Sequence, residues 1–226
     1  MDDTTETGDF STLFTPEGRD PCQLYLISPP AIDDYFAERL RAAGEAGPVA
    51  AFQLRLKGID DHAVARAAEP LQKVCTDLDI AFIVNDSIAL AKRLGADGVH
   101  LGQNDGNPRE AREILGREAQ IGVTCHNSRH LAMEAGENGA DYVAFGAFFQ
   151  TGTKDVEYFA ETDILRWWVT LFPTPCVAIG GITAENAAPL VSAGADFLAV
   201  SGAIWNDPAG PEAAVKAFSA VLSARP

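Results

Sequence analysis

The tripeptide Gly-Ala-Asp occurs at Gly95-Ala96-Asp97, Gly139-Ala140-Asp141 and Gly194-Ala195-Asp196, each time just ahead of a short apolar run. The spacings, 44 and 55 residues, are each about two strand–helix units. Between and around these marks, short apolar runs alternate with stretches of helical periodicity. Strands are predicted at 24–27, 49–54, 81–84, 98–101, 120–123, 142–145, 176–179 and 197–200. Helices are predicted at about 32–43, 60–78, 88–94, 107–115, 128–138, 164–171, 185–192 and 211–223. Asp60, Pro108, Ser128 and Thr183 supply helix starts, and Gly44 and Gly95 supply stops. Eight short strands in strict alternation with eight helices argue for a parallel sheet. The repeat fits an α/β fold of the (β/α)8 TIM-barrel type, in which alternate strands feed alternate core layers. An open doubly wound sheet is the alternative, but no Gly-x-Gly-x-x-Gly turn follows the first strand.

A chain of 226 residues is long enough for one such barrel. Residues 21–226 are read as that single domain. Residues 1–20, acidic and polar, are read as a mobile tail with no part in the fold. The 32 acidic against 17 basic residues give a net charge of −15, which argues against nucleic acid and anionic membranes as partners. The four cysteines, Cys22, Cys75, Cys125 and Cys176, have no CxxC spacing, and the simplest reading is a reduced cytoplasmic protein. No apolar run is long enough to span a bilayer, and the first residues lack a signal-peptide pattern. The oligomeric state is left open by the sequence, and an oligomer is compatible with it.

In a barrel of this kind chemistry sits at the C-terminal ends of the strands. That rule collects Gln53, Arg55 and Lys57 after the second strand, and Asn85 and Asp86 after the third. His100, Gln103 and Asp105 come from the fourth, Thr124 and His126 from the fifth, Thr151, Thr153 and Lys154 from the long loop after the sixth. Gly180-Gly181 follow the seventh and Ser201-Gly202 the eighth. If strands three and four are parallel neighbours, about 4.8 Å apart, Asp86 and Asp105 project from adjacent loops. Two hard carboxylates there suit one Mg²⁺. Asp86 as a helix N-cap and Asp105 as a turn residue are the plainer readings of the same stretch.

Arg55, Lys57 and Lys154 are three cations on one rim of an acidic chain. With Mg²⁺ and the two aspartates the site has a net charge near +3, which a pyrophosphate ester nearly neutralises. Gly180-Gly181 and Ser201-Gly202 can offer backbone N–H groups to a second oxyanion, since the last two loops are the usual phosphate site of the fold. Cys125, His126 and His130 lack a further ligand at zinc spacing. His126 is read instead as a substrate contact or acid/base, His100 as a satisfied core histidine, and Trp167-Trp168 as packing.

These motifs resemble the thiamine phosphate synthase family, whose relative is the thiazole tautomerase. The resemblance runs from Leu24 to about Trp205. It rests on Gln53-Leu54-Arg55-Leu56-Lys57, Asn85-Asp86, Ala96 to Asp105, Ile121 to Thr124, Thr151-Gly152-Thr153-Lys154 and Ile179 to Thr183. It implies a (β/α)8 barrel joining 4-amino-2-methyl-5-hydroxymethylpyrimidine pyrophosphate to 4-methyl-5-(2-phosphoethyl)thiazole, with thiamine phosphate and pyrophosphate as products. By similarity, Asp86 and Asp105 hold Mg²⁺. Arg55, Lys57, Asn85, Thr124 and Lys154 grip the leaving pyrophosphate, and Gln53 faces the pyrimidine. Thr151, Thr153 and the backbone around Gly181 and Ser201-Gly202 hold the thiazole phosphate.

The chain departs from the family pattern at four places. Thr124 stands where Ser is usual, Gln150 where Pro is usual, Asp155 where a second Lys is common, and Gly202 where Ser is usual. The departures leave two rivals: a tautomerase using His126, and a non-catalytic barrel that binds thiazole phosphate or thiamine phosphate.

Overall fold

The computed structural model describes residues 19–151 and 158–223. Among them, eight parallel strands close into a barrel in sequence order. They are β1 (Gln23–Ile27), β2 (Val49–Leu54), β3 (Ala81–Asn85), β4 (Gly98–Leu101), β5 (Gln120–His126), β6 (Tyr142–Gly146), β7 (Cys176–Ile179) and β8 (Phe197–Val200). The helices are α1 (Phe36–Glu45), α2 (Asp61–Asp77), α3 (Ile88–Leu94), α4 (Pro108–Leu115), α5 (Arg129–Glu137), α6 (Asp163–Leu171), α7 (Ala188–Ser192), α8 (Gly202–Trp205) and α9 (Pro211–Leu222). The predicted (β/α)8 barrel is therefore the observed one. Asp60, Ser87, Asn107 and Ser128 each accept hydrogen bonds from first-turn N–H groups, as N-caps should.

The pleat sorts side chains into two layers. In β1, Leu24 and Leu26 face the helices, while Tyr25 and Ile27 face inward. The interior is small and includes Tyr25, Ile83, Tyr142, Ala144, Val177 and Ala199. The larger apolar mass lies between sheet and helices, where Trp168 is fully buried, stacks on Phe172 at 4.2 Å and donates to the Thr174 carbonyl.

The Gly-Ala-Asp repeat has a common physical cause. Each glycine ends a helix at positive φ (59°, 87° and 100° for Gly95, Gly139 and Gly194). Each alanine N–H then closes back onto the helix, at Ala91, Ala135 and Leu190. Each aspartate pairs twice with one residue of the preceding odd strand. Its N–H donates to the carbonyls of Phe82, Ile121 and Cys176 in turn. Its carboxylate accepts from the same three residues' N–H groups, at 2.7, 2.7 and 2.8 Å. The repeat thus stops even-strand lead-in helices and seals strand ends at the N-terminal face, away from the chemistry.

Three expectations change. Thr183 does not cap a helix from 185: the Asn186 side chain accepts from the Thr183 N–H and donates to the Gly181 carbonyl, and this turn delays α7 to Ala188. Among the described residues a helix beyond the eight expected, α8, lies directly after β8; at four residues it is too short for periodicity to reveal. Arg19, counted with the tail, is instead tied to the barrel. Its guanidinium reaches Asp196 and the Phe172 carbonyl, each at 2.5 Å.

Candidate active site

The C-terminal rim is built by strand ends and the turns that follow them. Asn85 closes β3 beside His100 of β4, and the Asp86 N–H donates to the His100 carbonyl at 2.8 Å. That bond turns the chain sharply: Asp86 has φ of +66°, a left-handed conformation unusual for a non-glycine residue. His126 closes β5 at φ +53° beside a register shift in the strand pairing. Strain of this kind concentrates where side chains must be aimed for function.

The two aspartates meet. Asp105 folds back in the loop after β4, where its Oδ2 accepts from the Gly102 N–H at 3.0 Å. Burial raises the Asp105 pKa above the usual carboxylate value, and the Asp86 carboxylate, within hydrogen-bonding reach, raises it further. The Gly102 N–H and Lys57 pull the other way. Lys57 Nζ lies 3.1 Å from Asp86 Oδ2. Two carboxyl groups pressed together, with one ammonium beside them, form a place that favours further positive charge. A cleft of about 270 Å³ opens alongside, lined by Leu56, Lys57, Asn85, Asp86 and Ser87 among others. Among the described residues no cluster of three or more Asp, Glu, His or Cys is placed to hold a metal. The donor set is thus two hard oxygens, which fits an ion that keeps water and substrate phosphate in its shell.

Arg55 follows β2. Its N–H donates to Ser28 Oγ at 2.9 Å. Its charge is felt at His100, where it adds to the effect of burial in lowering the pKa while Asp86 acts with the opposite sign. Ser28 is buried and ties three loops together: its N–H donates to the Gln53 carbonyl and its carbonyl accepts from Ser201 Oγ. Sequence reasoning missed Ser28, whose only mark is its place at the end of the first strand.

Gln53 does not lie on the open rim. It is buried within the barrel and donates through Nε2 to the Tyr25 hydroxyl at 2.9 Å. Tyr25 and Tyr142 share a hydrogen bond of 2.8 Å. Tyr142 meets His100 Nδ1 at 3.2 Å, and His100 Nε2 meets Thr124 Oγ1 at 2.8 Å. His100 is the satisfied core histidine expected, and burial pushes its pKa down to about 4. Burial likewise raises Tyr25 to about 12. Both therefore stay neutral near pH 7. Sequence reasoning treated the two tyrosines as ordinary strand residues.

The other half of the rim is backbone. Gly181 has φ of +64°, and a Cβ there would lie 2.2 Å from the Gln150 carbonyl oxygen. Only glycine lets the segment carrying Thr151 close over the β7 end. Ser201 precedes α8, and Gly202 is its first residue. The loops after β7 and β8 with a short extra helix are where this fold binds phosphate. Gly181→Ala should push the Gln150-Thr151 backbone away. The expected result is a rise of roughly tenfold in KM for the phosphate-bearing partner, with a smaller change in kcat. Steady-state kinetics with each substrate varied in turn will check this. The ring of His126 packs at 4.9 Å from that of Tyr158, and Asn127 Nδ2 holds the Phe159 carbonyl, so the loop after β6 returns against the β5 end. Thr153 and Lys154, expected to hold the thiazole phosphate and the pyrophosphate, lie outside the described residues.

The comparisons with known proteins agree with this geometry. Residues 24–204 match the family model described as thiamine monophosphate synthase. The thiamine-phosphate synthase of Erythrobacter litoralis is 64% identical over 209 residues, covering 90% of this chain and 97% of that protein. The thiamine-phosphate synthase of Rhodospirillum centenum is 59% identical over 202 residues, covering 89% and 98%. The solved structure of thiamine phosphate pyrophosphorylase from Pyrococcus furiosus is similar with a TM-score of 0.79 at 29% identity, over 89% of this chain and 95% of that one.

Proposed function

The chain belongs to the thiamine monophosphate synthase family, and on that premise we propose which of its residues carry the reaction and with which metal. The chain is an enzyme that couples the pyrimidine pyrophosphate to the thiazole phosphate, giving thiamine phosphate and pyrophosphate. Relatives at this identity bear the synthase name, so neither the tautomerase nor the non-catalytic reading is favoured.

Asp86 and Asp105 are the residues that would hold Mg²⁺. The observation that carries this assignment is their convergence beside Lys57, with the Asp105 pKa raised by burial and then by its neighbour. Mg²⁺, when bound, neutralises charge on the departing pyrophosphate. Arg55, Lys57, Asn85, Thr124 and Lys154 grip the same group through cations and donors aimed where negative charge develops. Gln53 reads the pyrimidine, and His126 lies against the substrates. As the methylene carbon–oxygen bond breaks, its electron pair leaves with pyrophosphate. The thiazole nitrogen then forms the new carbon–nitrogen bond. No protein nucleophile is required, and the chain's contribution is position and electrostatics. Thr151, Thr153, Gly181, Ser201 and Gly202 hold the thiazole phosphate so that its nitrogen faces the cation. The substrates are the partners we assign, without nucleic acid or membrane. Among the described residues no helix is long and apolar enough to cross a membrane. The four cysteines are buried, and among the described residues none is joined in a disulfide, which supports our reading of a reducing compartment, the cytoplasm.

Mass-spectrometric detection of thiamine phosphate from the two precursors, with Mg²⁺ or with EDTA, tests the reading. Product only with Mg²⁺ is expected; equal product in EDTA would remove the metal from the account. Acidification gives a second check. Metal ligation needs both carboxylates ionised. Since the folded pKa of Asp105 is raised, Mg²⁺ affinity should decline on acidification from a higher pH than an ordinary aspartate, near 3.9, would impose. In the metal-free protein the sign reverses: the folded state holds this proton more tightly than the unfolded chain, so the pair's contribution to stability is lost as pH rises through the raised pKa. Metal titrations carried down through the carboxylate range should therefore show binding that weakens toward the acid side, starting at a higher pH than an ordinary aspartate imposes, and a profile flat throughout that range would contradict the assignment.

A further inference from the structure

We infer that Gln53, Tyr25, Tyr142, His100 and Thr124 form a one-way hydrogen-bond relay through the barrel, and that Tyr142 and His100 are positioning residues that set which atoms Thr124 and Gln53 show to the substrate. The inference rests on the reading above, in which Thr124 meets the pyrophosphate and Gln53 the pyrimidine.

With Gln53 Nε2 facing Tyr25, counting protons fixes the direction of every other bond. Gln53 Nε2 can only donate, so the Tyr25 oxygen accepts. The single Tyr25 proton is then left for the Tyr142 oxygen at 2.8 Å. The Tyr142 proton goes in turn to His100 Nδ1 at 3.2 Å. A neutral imidazole that accepts at Nδ1 carries its proton on Nε2. That proton is donated to Thr124 Oγ1 at 2.8 Å. The Thr124 hydroxyl proton takes no part in the chain, so Thr124 meets the substrate as a donor. At the other end Nε2 is committed, and Gln53 Oε1 remains as an acceptor. That oxygen has no hydrogen-bond partner among the described residues, and it is not among their sealed, unpartnered polar atoms.

The reverse chain has the same distances and the opposite consequence. With the Gln53 amide turned over, every proton runs the other way. His100 then carries its proton on Nδ1, and Thr124 donates into the protein and turns lone pairs toward the substrate. Lone pairs repel an anionic leaving group, whereas a donor stabilises it as its charge grows. The electrostatics of the reaction therefore select the first direction. The relay spans β2, β1, β6, β4 and β5, and it couples the two substrate contacts through one set of tautomers. Buried networks of this kind hold together only if every member is satisfied.

The ¹⁵N resonances of His100 in the wild-type protein test the direction without reference to turnover. The Nε2–H tautomer is expected, and the Nδ1–H tautomer would overturn the inference. Kinetics test the coupling. Tyr142→Phe keeps the ring and removes the proton that His100 Nδ1 accepts. It should lower kcat roughly tenfold, the worth of one hydrogen bond, with little change in KM for the thiazole phosphate. In a Thr124→Val background the same change should cost less than twofold, because both act through one hydroxyl. Full tenfold losses in both backgrounds would assign Tyr142 a merely structural role. The two readings fail separately: an Nδ1–H tautomer with normal turnover removes the relay alone, and absent turnover removes the enzyme reading while leaving the tautomer measurable.

Discussion

Asp105→Asn is expected to lower kcat/KM by roughly 10²–10³-fold, a loss of about 3–4 kcal/mol of transition-state stabilisation. The substitution keeps size and keeps an oxygen for the Gly102 N–H. What it removes is a negative charge from a pair that already repels, as the raised Asp105 pKa records. In the metal-free protein that removal is a relief, so the variant should fold at least as well as wild type. Only the cation loses. Asp86→Asn should be comparably slow, and it also strips Lys57 of its partner at 3.1 Å. The double variant should be little worse than either single one, because ligands of one ion act as a unit. Steady-state rates at saturating Mg²⁺ and at a large excess will separate weak metal binding from lost chemistry. A rate within threefold of wild type for Asp105→Asn contradicts the site.

The second large effect lies at the other end of the barrel. Asp141→Ala should cost about 2–4 kcal/mol of stability, since it removes a charged acceptor from two donors at once. Asp141 Oδ2 accepts from the Ile121 N–H at 2.7 Å and from Arg112 Nη2 at 2.5 Å. Arg112 cannot simply swing away, because its Nη1 also serves the carbonyls of Gly116, Arg117 and Ala119. For a chain of this size the loss corresponds to a fall in Tm of roughly 5–15 °C. Asp141→Asn, which keeps one acceptor, should lose about half as much. Thermal unfolding by circular dichroism checks both, and turnover of the folded variants at low temperature should match wild type. An unchanged Tm for Asp141→Ala would mean that the repeated aspartates do not seal the strands.

These two aspartates mark what is legible in a sequence of this kind. Strand positions could be read because four- to six-residue apolar runs end in turn-formers, and β2, β4, β7 and β8 match their expected bounds. The Gly-Ala-Asp repeat could be seen, but not its work. That Asp141 accepts from Ile121 depends on a pairing between neighbouring strands that composition does not report. Asp86 and Asp105 could be paired in advance because adjacent parallel strands bring successive loops together, and this is where the structure puts them. Gln53 could be placed on the right strand, yet its burial depends on Tyr25 and on Tyr142, 117 residues further along. The delayed start of α7 followed from one side chain: Asn186 satisfies the Thr183 N–H in a turn, so the helix that Thr183 was expected to cap begins later. Residues whose roles depend on local periodicity were readable, and those whose roles depend on contacts across the barrel were not.

The central claim is that Asp86 and Asp105 together hold the ion that accompanies pyrophosphate. The most direct measurement is an anomalous difference map from crystals grown with Mn²⁺ and pyrophosphate. One peak within about 2.0–2.3 Å of a carboxylate oxygen of each aspartate, bridged to the pyrophosphate, is the predicted result. A peak bound elsewhere on the rim, or pyrophosphate bound with no peak between the two carboxylates, would contradict it.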